Sequence, residues 1–317
     1  MTQTESSTCP LCRGVGHHDF TGSDLMFGGD ETYEYHRCAT CAAVYQTPTP
    51  SPEQIAAFYP DHYSIYDTNV RIKPRRAMER ALLNVSYGYE HLPAPLPLKL
   101  LAPLLAPFRE RDALPFEHGG RMLDIGCGNG RFLLRMQQLG WKVQGVEFNQ
   151  TAVEICRQNQ LEVFHGELED AGLEAGSFDL ITARHVIEHV RDPDSFIADT
   201  VRLLKPGGRL HLRTPSSEAL GRGYFGPLWF PNEVPRHLSL FTKKNLNMLT
   251  ARHGLEPVTV RTNVRTNWVL NSLDYKTGNH GKPYRKNKLY RFLIKAYVPF
   301  AAISGRGEEV FAIYRKT

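Results

Sequence analysis

From position 121 the chain alternates short apolar runs with amphipathic stretches. The runs at 122–125 (MLDI), 142–148 (KVQGVEF), 161–166 (LEVFHG), 178–184 (FDLITAR) and 208–214 (GRLHLRT) are short and rich in branched aliphatics, the pattern of buried strands. Between them, "GRFLLRMQQLG", "NQTAVEICRQNQ" and 193–204 space their apolar positions three and four apart, as amphipathic helices do. Strand–helix alternation with short connections predicts an α/β fold with a doubly wound, mostly parallel sheet. The alternation breaks at "PSSEALGRGYFGPLWFPNEVPRH", resumes with a helix over 242–253 and a strand over 257–262, and closes on the strand "EEVFAIYR". The segments 214–240 and 263–307 are expected to be irregular insertions on the substrate side, since long loops in compact domains are commonly functional.

Upstream the texture differs. Residues 1–48 are turn-rich, carry four cysteines and end at the proline cluster "TPTPSP". Residues 49–119 are helical but interrupted: Ser51 and Pro52 read as an N-cap and first-turn proline of a helix running through Tyr59, and "RIKPRRAMERALLNV" predicts another. The organisation expected is therefore a small ribbon (1–48), a helical linker or lid (49–119) and an α/β domain (120–317).

Composition adds only bounds. The 317 residues are 41% hydrophobic and 22% charged, as in globular chains able to bury a core, and the net charge of +5 does not by itself imply nucleic-acid binding. The N-terminal "MTQTESSTCPLC" lacks the apolar stretch of a secretory signal. The longest apolar candidate for a membrane span, 92–108, is broken by five prolines. A cytoplasmic location is expected, where thiols stay reduced.

Six cysteines are unevenly placed: Cys9 and Cys12 form one C-x-x-C, Cys38 and Cys41 a second, and Cys127 and Cys156 stand alone. Two such knuckles match the sulfur spacing of a structural zinc ribbon, with disulfides or redox pairs as the alternative. His17, His18 and His36 could each replace a thiolate, although four sulfurs already close a tetrahedron.

The stretch "RMLDIGCGNGRFL" places Gly126, Gly128 and Gly130, with Cys127 among them, on the turn between the first strand and its helix. Glycines there let a ligand approach the backbone and the helix amides. A dinucleotide and S-adenosylmethionine both fit such a turn. Asp124, just before the loop, would repel a pyrophosphate and suits an amino-bearing ligand; Glu147, ending the second strand, could accept hydrogen bonds from two ribose hydroxyls. The alternative makes Asp124 a turn cap and Glu147 a solvated strand end.

Taken in order, "LDIGCGNG", "VEF", "FDLITARHVIEHV" and "LLKPGGRLHLRTP" resemble the class I S-adenosylmethionine-dependent methyltransferases over residues 120–262 and the last strand. The resemblance implies a Rossmann-like, seven-stranded sheet whose last strand inserts antiparallel. It implies that Asp124, Gly126 and Gly128 hold the methionine end, Glu147 the ribose and Phe148 the adenine, with Glu167 and Leu168 at the adenine edge. The cysteine knuckles followed by "TPTPSPEQIAAFYPDHY" also resemble a subgroup with a zinc-binding extension, similar to sugar C-methyltransferases of surface-polysaccharide and secondary-metabolite pathways.

His185 and His189 superficially match a zinc-protease helix, but Glu188 lies in the wrong place for H-E-x-x-H and no third ligand is evident nearby, so a catalytic metal is not expected. Arg184 and His185 should instead sit at the carboxyl edge of the sheet, against the cofactor, with His189 a candidate base. The alternative has Glu188 and His189 only tying the loop to the next helix. His237 is a second candidate base after the aromatic insertion, which could wall an apolar substrate pocket, or else a buried structural histidine at the hinge of that insertion; Glu233 and Tyr224 are candidate catalytic partners. The sugar C-methyltransferases carry an acid just before this histidine; here Arg236 stands there, which argues against a Glu–His pair and could recognise a substrate phosphate or carboxylate.

The run 276–295 is basic and interleaved with Tyr284, Tyr290 and Phe292. It reads as a solvated face, or as a contact for anionic lipid, a diphosphate-linked substrate or RNA. The preferred reading is a methyltransferase acting on a small-molecule or glycan-linked metabolite. RNA methylation and a non-catalytic binding module on the cofactor fold are the rivals.

Overall fold

The computed structural model describes residues 7–59, 70, 72, 74–104, 114–116, 120–278 and 288–317. The chain opens with β1 (Ser7–Thr8), β2 (Val15–Ser23), β3 (Thr32–Cys38) and β4 (Val44–Thr47), then α1 (Pro52–Ala57), α2 (Ala77–Tyr87) and α3 (Leu96–Leu101). Strands and helices next alternate through β5 (Arg121–Ile125), α4 (Arg131–Gln138), β6 (Lys142–Glu147), α5 (Gln150–Gln158), β7 (Val163–His165), β8 (Phe178–Arg184), α6 (Pro193–Leu203) and β9 (Leu204–Pro215). The rest comprises α7 (Leu220–Phe225), β10 (Ser239–Leu240), α8 (Lys243–Ala251), β11 (Leu255–Asn263), α9 (Thr266–Thr277), α10 (Lys288–Ile303) and β12 (Glu309–Lys316).

Seven strands form a mostly parallel sheet in the order β11-β12-β9-β8-β5-β6-β7. β5, β6 and β7 pair in parallel, and β12 runs antiparallel between β9 and β11. This is the doubly wound, Rossmann-like order with an inserted last strand. A second, antiparallel sheet has the order β1-β2-β3-β4-β10.

Two compact units divide the chain: residues 66–182 with 203–208, and residues 1–65, 183–202 and 209–317. In the first, β5 buries every residue but Arg121, and α4 and α5 turn Leu133, Met136, Val153 and Cys156 inward. Cys127, Leu133, Val153, Cys156, Leu161 and Val163 form one apolar cluster; each large side chain buried there contributes on the order of 1.5–3 kcal/mol. Asn149 caps α5 by accepting from the Ala152 amide at 3.0 Å. The basic helix foreseen in "RIKPRRAMERALLNV" is α2, which starts at Ala77, past Pro74.

In the second unit Phe20, Tyr35, Val44, Ala219, Phe225, Trp229, Val234 and Leu240 share a core. Phe225 and Trp229 of the aromatic insertion are buried in this core and stabilise the fold, while Pro227, Trp229 and Phe230 also line a small cavity. One reading of the insertions changes. The stretch 263–307 is largely helical where described: α9 presents Val269 and Leu273 to the same core at helical spacing, and α10 follows. The middle of the basic run, 279–287 with Tyr284, and residues 60–63 of "FYPDHY" lie outside the described residues. Ser51 caps α1 through a capping box with Gln54, as its sequence position requires. Among the described residues no helix is long and apolar enough to cross a membrane.

Candidate active site and metal centre

The glycine loop belongs to the first unit. Gly126, Gly128 and Gly130 all have positive φ (64°, 54° and 72°), a backbone that side-chain-bearing residues adopt only under strain. At Gly130 a Cβ would also come within 2.8 Å of the Cys156 sulfur. Asp124 is fully buried at the end of β5, where the Thr182 hydroxyl donates to it. Glu147 is buried as well; its two oxygens accept the Gly128 amide at 2.7 Å and the Asn149 amide at 2.9 Å. Burial and the neighbouring Asp124 raise the Glu147 pKa against these amide hydrogen bonds. Two buried carboxylates beside a ribbon of accessible backbone fit the ammonium and ribose hydroxyl donors of S-adenosylmethionine.

The flanking candidates differ in character. Phe148 is half exposed, Leu168 is buried, and Glu167 is exposed with a pKa raised by partial burial and then by Glu169 and Asp170. The Cys127 side chain packs into the apolar cluster with Cys156, so at this loop it offers a ligand its backbone alone.

Arg184 and His185 lie in the second unit. His185 follows β8 with a left-handed backbone (φ 60°), and its amide donates to the Arg213 carbonyl at 2.8 Å. Its two ring nitrogens each stand 3.1 Å from a buried carboxylate, Nδ1 from Glu188 and Nε2 from Glu309. Burial opposes charge on this ring, but the two carboxylates outweigh it and raise its pKa to about 9. His185 is thus an imidazolium clamped between two anions, with no lone pair for a metal or an incoming proton.

The same unit gathers the other histidines. His189 sits in a 3₁₀ turn, Ile187–His189, and its ring packs edge-on against His237 with centroids 4.6 Å apart. What joins them is backbone pairing: the Leu238 amide donates to the Glu188 carbonyl at 2.7 Å. His237 Nδ1 donates to the Pro231 carbonyl at 2.8 Å, which turns Nε2 toward Glu233, 3.5 Å away. Glu233 itself is held in the left-handed region (φ 38°, ψ 52°). Burial and the neighbouring His237 lower the His189 pKa to about 4, so its ring is neutral near pH 7. Glu188 is wholly buried yet its pKa is lowered, because the surrounding imidazoles, His185 foremost, outweigh desolvation.

Four expectations are corrected here. A third ligand-bearing residue does accompany His189: donor atoms of Glu188, His189 and His237 all lie within 4.8 Å of one another. A Glu–His pair also exists, with the acid four residues before His237. Arg236 is not a substrate contact. Its side chain is fully buried and donates to Asp24 through both terminal nitrogens, at 2.7 and 2.9 Å, and to the Phe58 and Val234 carbonyls. Tyr224 is not brought to the cluster; it is mostly exposed, with the Lys276 ammonium 4.1 Å from its ring centroid. The sequence reading missed Tyr59 as a site residue: its hydroxyl lies 2.8 Å from His189 Nδ1.

The four knuckle cysteines converge within 4.8 Å, the Cys9 and Cys41 sulfurs 3.6 Å apart and those of Cys12 and Cys38 3.4 Å apart. Those separations exclude disulfides and approach the edge of a tetrahedral zinc–thiolate site, about 3.8 Å for Zn–S bonds of about 2.3 Å. The donor set fits a structural zinc. His36 is not among its ligands; its Nδ1 is paired with the Ser7 hydroxyl at 2.8 Å.

This sheet order, with a glycine turn after its first parallel strand and acids at the ends of the first two, defines a class I S-adenosylmethionine-dependent methyltransferase domain. Residues 98–260, just over half of the chain, match the family model described as a methyltransferase domain, and the chain belongs to that family. Among curated relatives, it is 35% identical over 157 residues to a ubiquinone biosynthesis O-methyltransferase of Chelativorans sp. (strain BNC1), covering 46% of this chain and 62% of the relative. To the mitochondrial ubiquinone biosynthesis O-methyltransferase of Schizosaccharomyces pombe it is 36% identical over 124 residues, covering 36% of this chain and 44% of the relative. The chain thus spans less than two thirds of either relative's length. A solved S-adenosylmethionine-dependent methyltransferase from Mesorhizobium loti is 19% identical with a TM-score of 0.46, covering 68% of this chain and 97% of that one.

Proposed function

We propose that this protein transfers the methyl group of S-adenosylmethionine to a hydroxyl oxygen of a small molecule, free or carried on a glycan. The observation that carries the reading is the Glu233–His237 pair, at 3.5 Å, with His237 buried, in a chain whose glycine loop is flanked by Asp124 and Glu147. A hydroxyl needs a proton acceptor as it attacks, whereas an amine with a free lone pair does not. The curated relatives, named as O-methyltransferases, support an oxygen acceptor.

When bound, S-adenosylmethionine supplies an electrophilic methyl on a sulfonium, and its sulfur leaves as a neutral thioether. The residues of this chain position and deprotonate. Asp124 holds the amino end, Glu147 the ribose, and the positive-φ glycines keep the loop backbone open to the ligand. In the second unit His237 Nε2 takes the acceptor's proton, Glu233 stabilises the resulting imidazolium, and the Pro231 carbonyl fixes the tautomer through Nδ1. His189, oriented by Tyr59 and the Arg236 carbonyl, completes the polar wall. Positioning of acceptor and methyl supplies the larger share of the acceleration.

Methyl-labelled S-adenosylmethionine, the purified protein and either total RNA or a small-molecule extract would test this. Label entering the small-molecule fraction as an alkali-stable methyl ether is expected. Label entering RNA alone would overturn the reading.

A further inference from the structure

We propose that Glu188, His189 and His237 form a second metal site, one that takes a divalent first-row ion such as Mn2+, Fe2+ or Co2+. One donor atom from each of the three lies within 4.8 Å of the other two, close to the separation of about 4 Å at which two donors can share an ion. Two imidazoles and a carboxylate suit such ions and leave further coordination positions open, whereas the soft thiolates of the cysteine cluster select zinc.

Three independent features point to a ligand here. Glu188 is completely buried; its Oε1 is engaged by His185 at 3.1 Å, but its Oε2 has no hydrogen-bond partner. An orphaned buried carboxylate oxygen is costly unless something fills the place. Second, each histidine has Nδ1 against a backbone carbonyl, His237 with Pro231 at 2.8 Å and His189 with Arg236 at 3.1 Å. A carbonyl only accepts, so Nδ1 carries the proton and Nε2 keeps its lone pair; at His189 the Tyr59 hydroxyl, 2.8 Å from the same Nδ1, then accepts as well. Metal-binding histidines are oriented in this way. Third, His185 holds Glu188 Oε1 at 3.1 Å and is itself held by Glu309 at 3.1 Å, which fixes the carboxylate in place while its other oxygen is left for a cation.

With the ion on His237 Nε2, that nitrogen no longer takes the acceptor's proton; Glu233, outside the ligand set with Oε2 3.5 Å from His237 and Oε1 accepting from Arg236 at 3.3 Å, takes it instead. The ion's purpose, holding and polarising the acceptor hydroxyl, rests on the reading of this cluster as the acceptor site. Its binding can be measured without any methyl transfer.

The test uses the full chain with zinc retained in the cysteine cluster, titrated with Mn2+ while the electron paramagnetic resonance signal of free Mn2+ is followed. About one Mn2+ per chain is expected, bound at least roughly tenfold more weakly by Glu188→Gln and by His189→Gln. Retained S-adenosylmethionine binding would show those variants folded. Should either unfold, Co2+ added to the zinc-loaded wild type decides: weak d–d bands without thiolate charge transfer are expected. Absence of Mn2+ binding, equal affinity in folded variants, or Co2+ showing thiolate features alone overturns the site. Methyl transfer persisting in a protein that binds no Mn2+ would remove the ion and leave the acceptor reading standing.

Discussion

Glu233 Oε2 stands 3.5 Å from His237 Nε2, although reaching that position holds the Glu233 backbone in a left-handed conformation that a side-chain-bearing residue adopts at a cost of about 1–3 kcal/mol. Such strain is tolerated where the side chain is needed. Glu233→Gln keeps the shape and removes the charge, so kcat should fall by roughly 10²–10⁴-fold while the affinity for S-adenosylmethionine changes little. Steady-state kinetics beside calorimetry would check this, and an unchanged kcat would remove Glu233 from the mechanism.

The cysteine cluster should carry about one zinc per chain, as a structural site of four thiolates does. It is tied to the rest of its unit by the Asn245 side chain, which donates to the Cys41 carbonyl at 3.2 Å, and by the Gln46 amide, which donates to the Leu238 carbonyl at 2.9 Å. Loss of the metal should therefore loosen β4 and β10 and, through Leu238, the His237 neighbourhood. Cys38→Ser is expected to abolish zinc in metal analysis and to lower thermal stability by several kcal/mol. Full zinc content in that variant would contradict the assignment.

Asp19 offers a pH-dependent contribution to stability. It accepts from Arg37 at 2.8 Å and from Arg222, and although burial pushes its pKa up, the two guanidinium groups outweigh that and hold it below the usual carboxylate range. A depressed folded-state pKa stabilises the fold above the unfolded value of about 3.9, and that stability is lost as pH falls through the folded value. Asp19→Asn should therefore cost on the order of 1–3 kcal/mol at pH 7. The gap between variant and wild type should begin to narrow below about pH 4 and close once pH falls below the depressed folded-state value. Denaturant melts at both pH values measure it; a gap that persists in acid would assign Asp19 a role other than ion pairing.

The legible parts of the molecule are those whose chemistry is local in the chain. "LDIGCGNG" specifies its own loop because three glycines meet three positive-φ positions, and each C-x-x-C turn brings its own two sulfurs together. The Thr242 cap and Ser51 capping box are likewise set by residues three apart. What could not be read depends on long-range docking. Glu188, His189 and His237 meet because Leu238 pairs with Glu188, and no spacing rule links these segments. Arg236 looked like a substrate contact because its partner, Asp24, is 212 residues away. The helices α9 and α10 were hidden by flanking glycine, proline and basic residues, although Val269 and Leu273 carried the helical spacing. Glu188, between Ile187 and His189, was a signal available in the sequence: a carboxylate in an apolar turn asks for a partner.

Cofactor binding is the requirement on which every step above depends, and calorimetric titration of the purified chain with S-adenosylmethionine addresses it most directly. Saturable binding near one per chain is predicted, weakened roughly ten- to a hundredfold in Glu147→Ala, which removes the carboxylate that accepts from Gly128 at 2.7 Å and is assigned to the ribose. No detectable binding by the folded wild-type protein, or an affinity indifferent to Glu147, would contradict it.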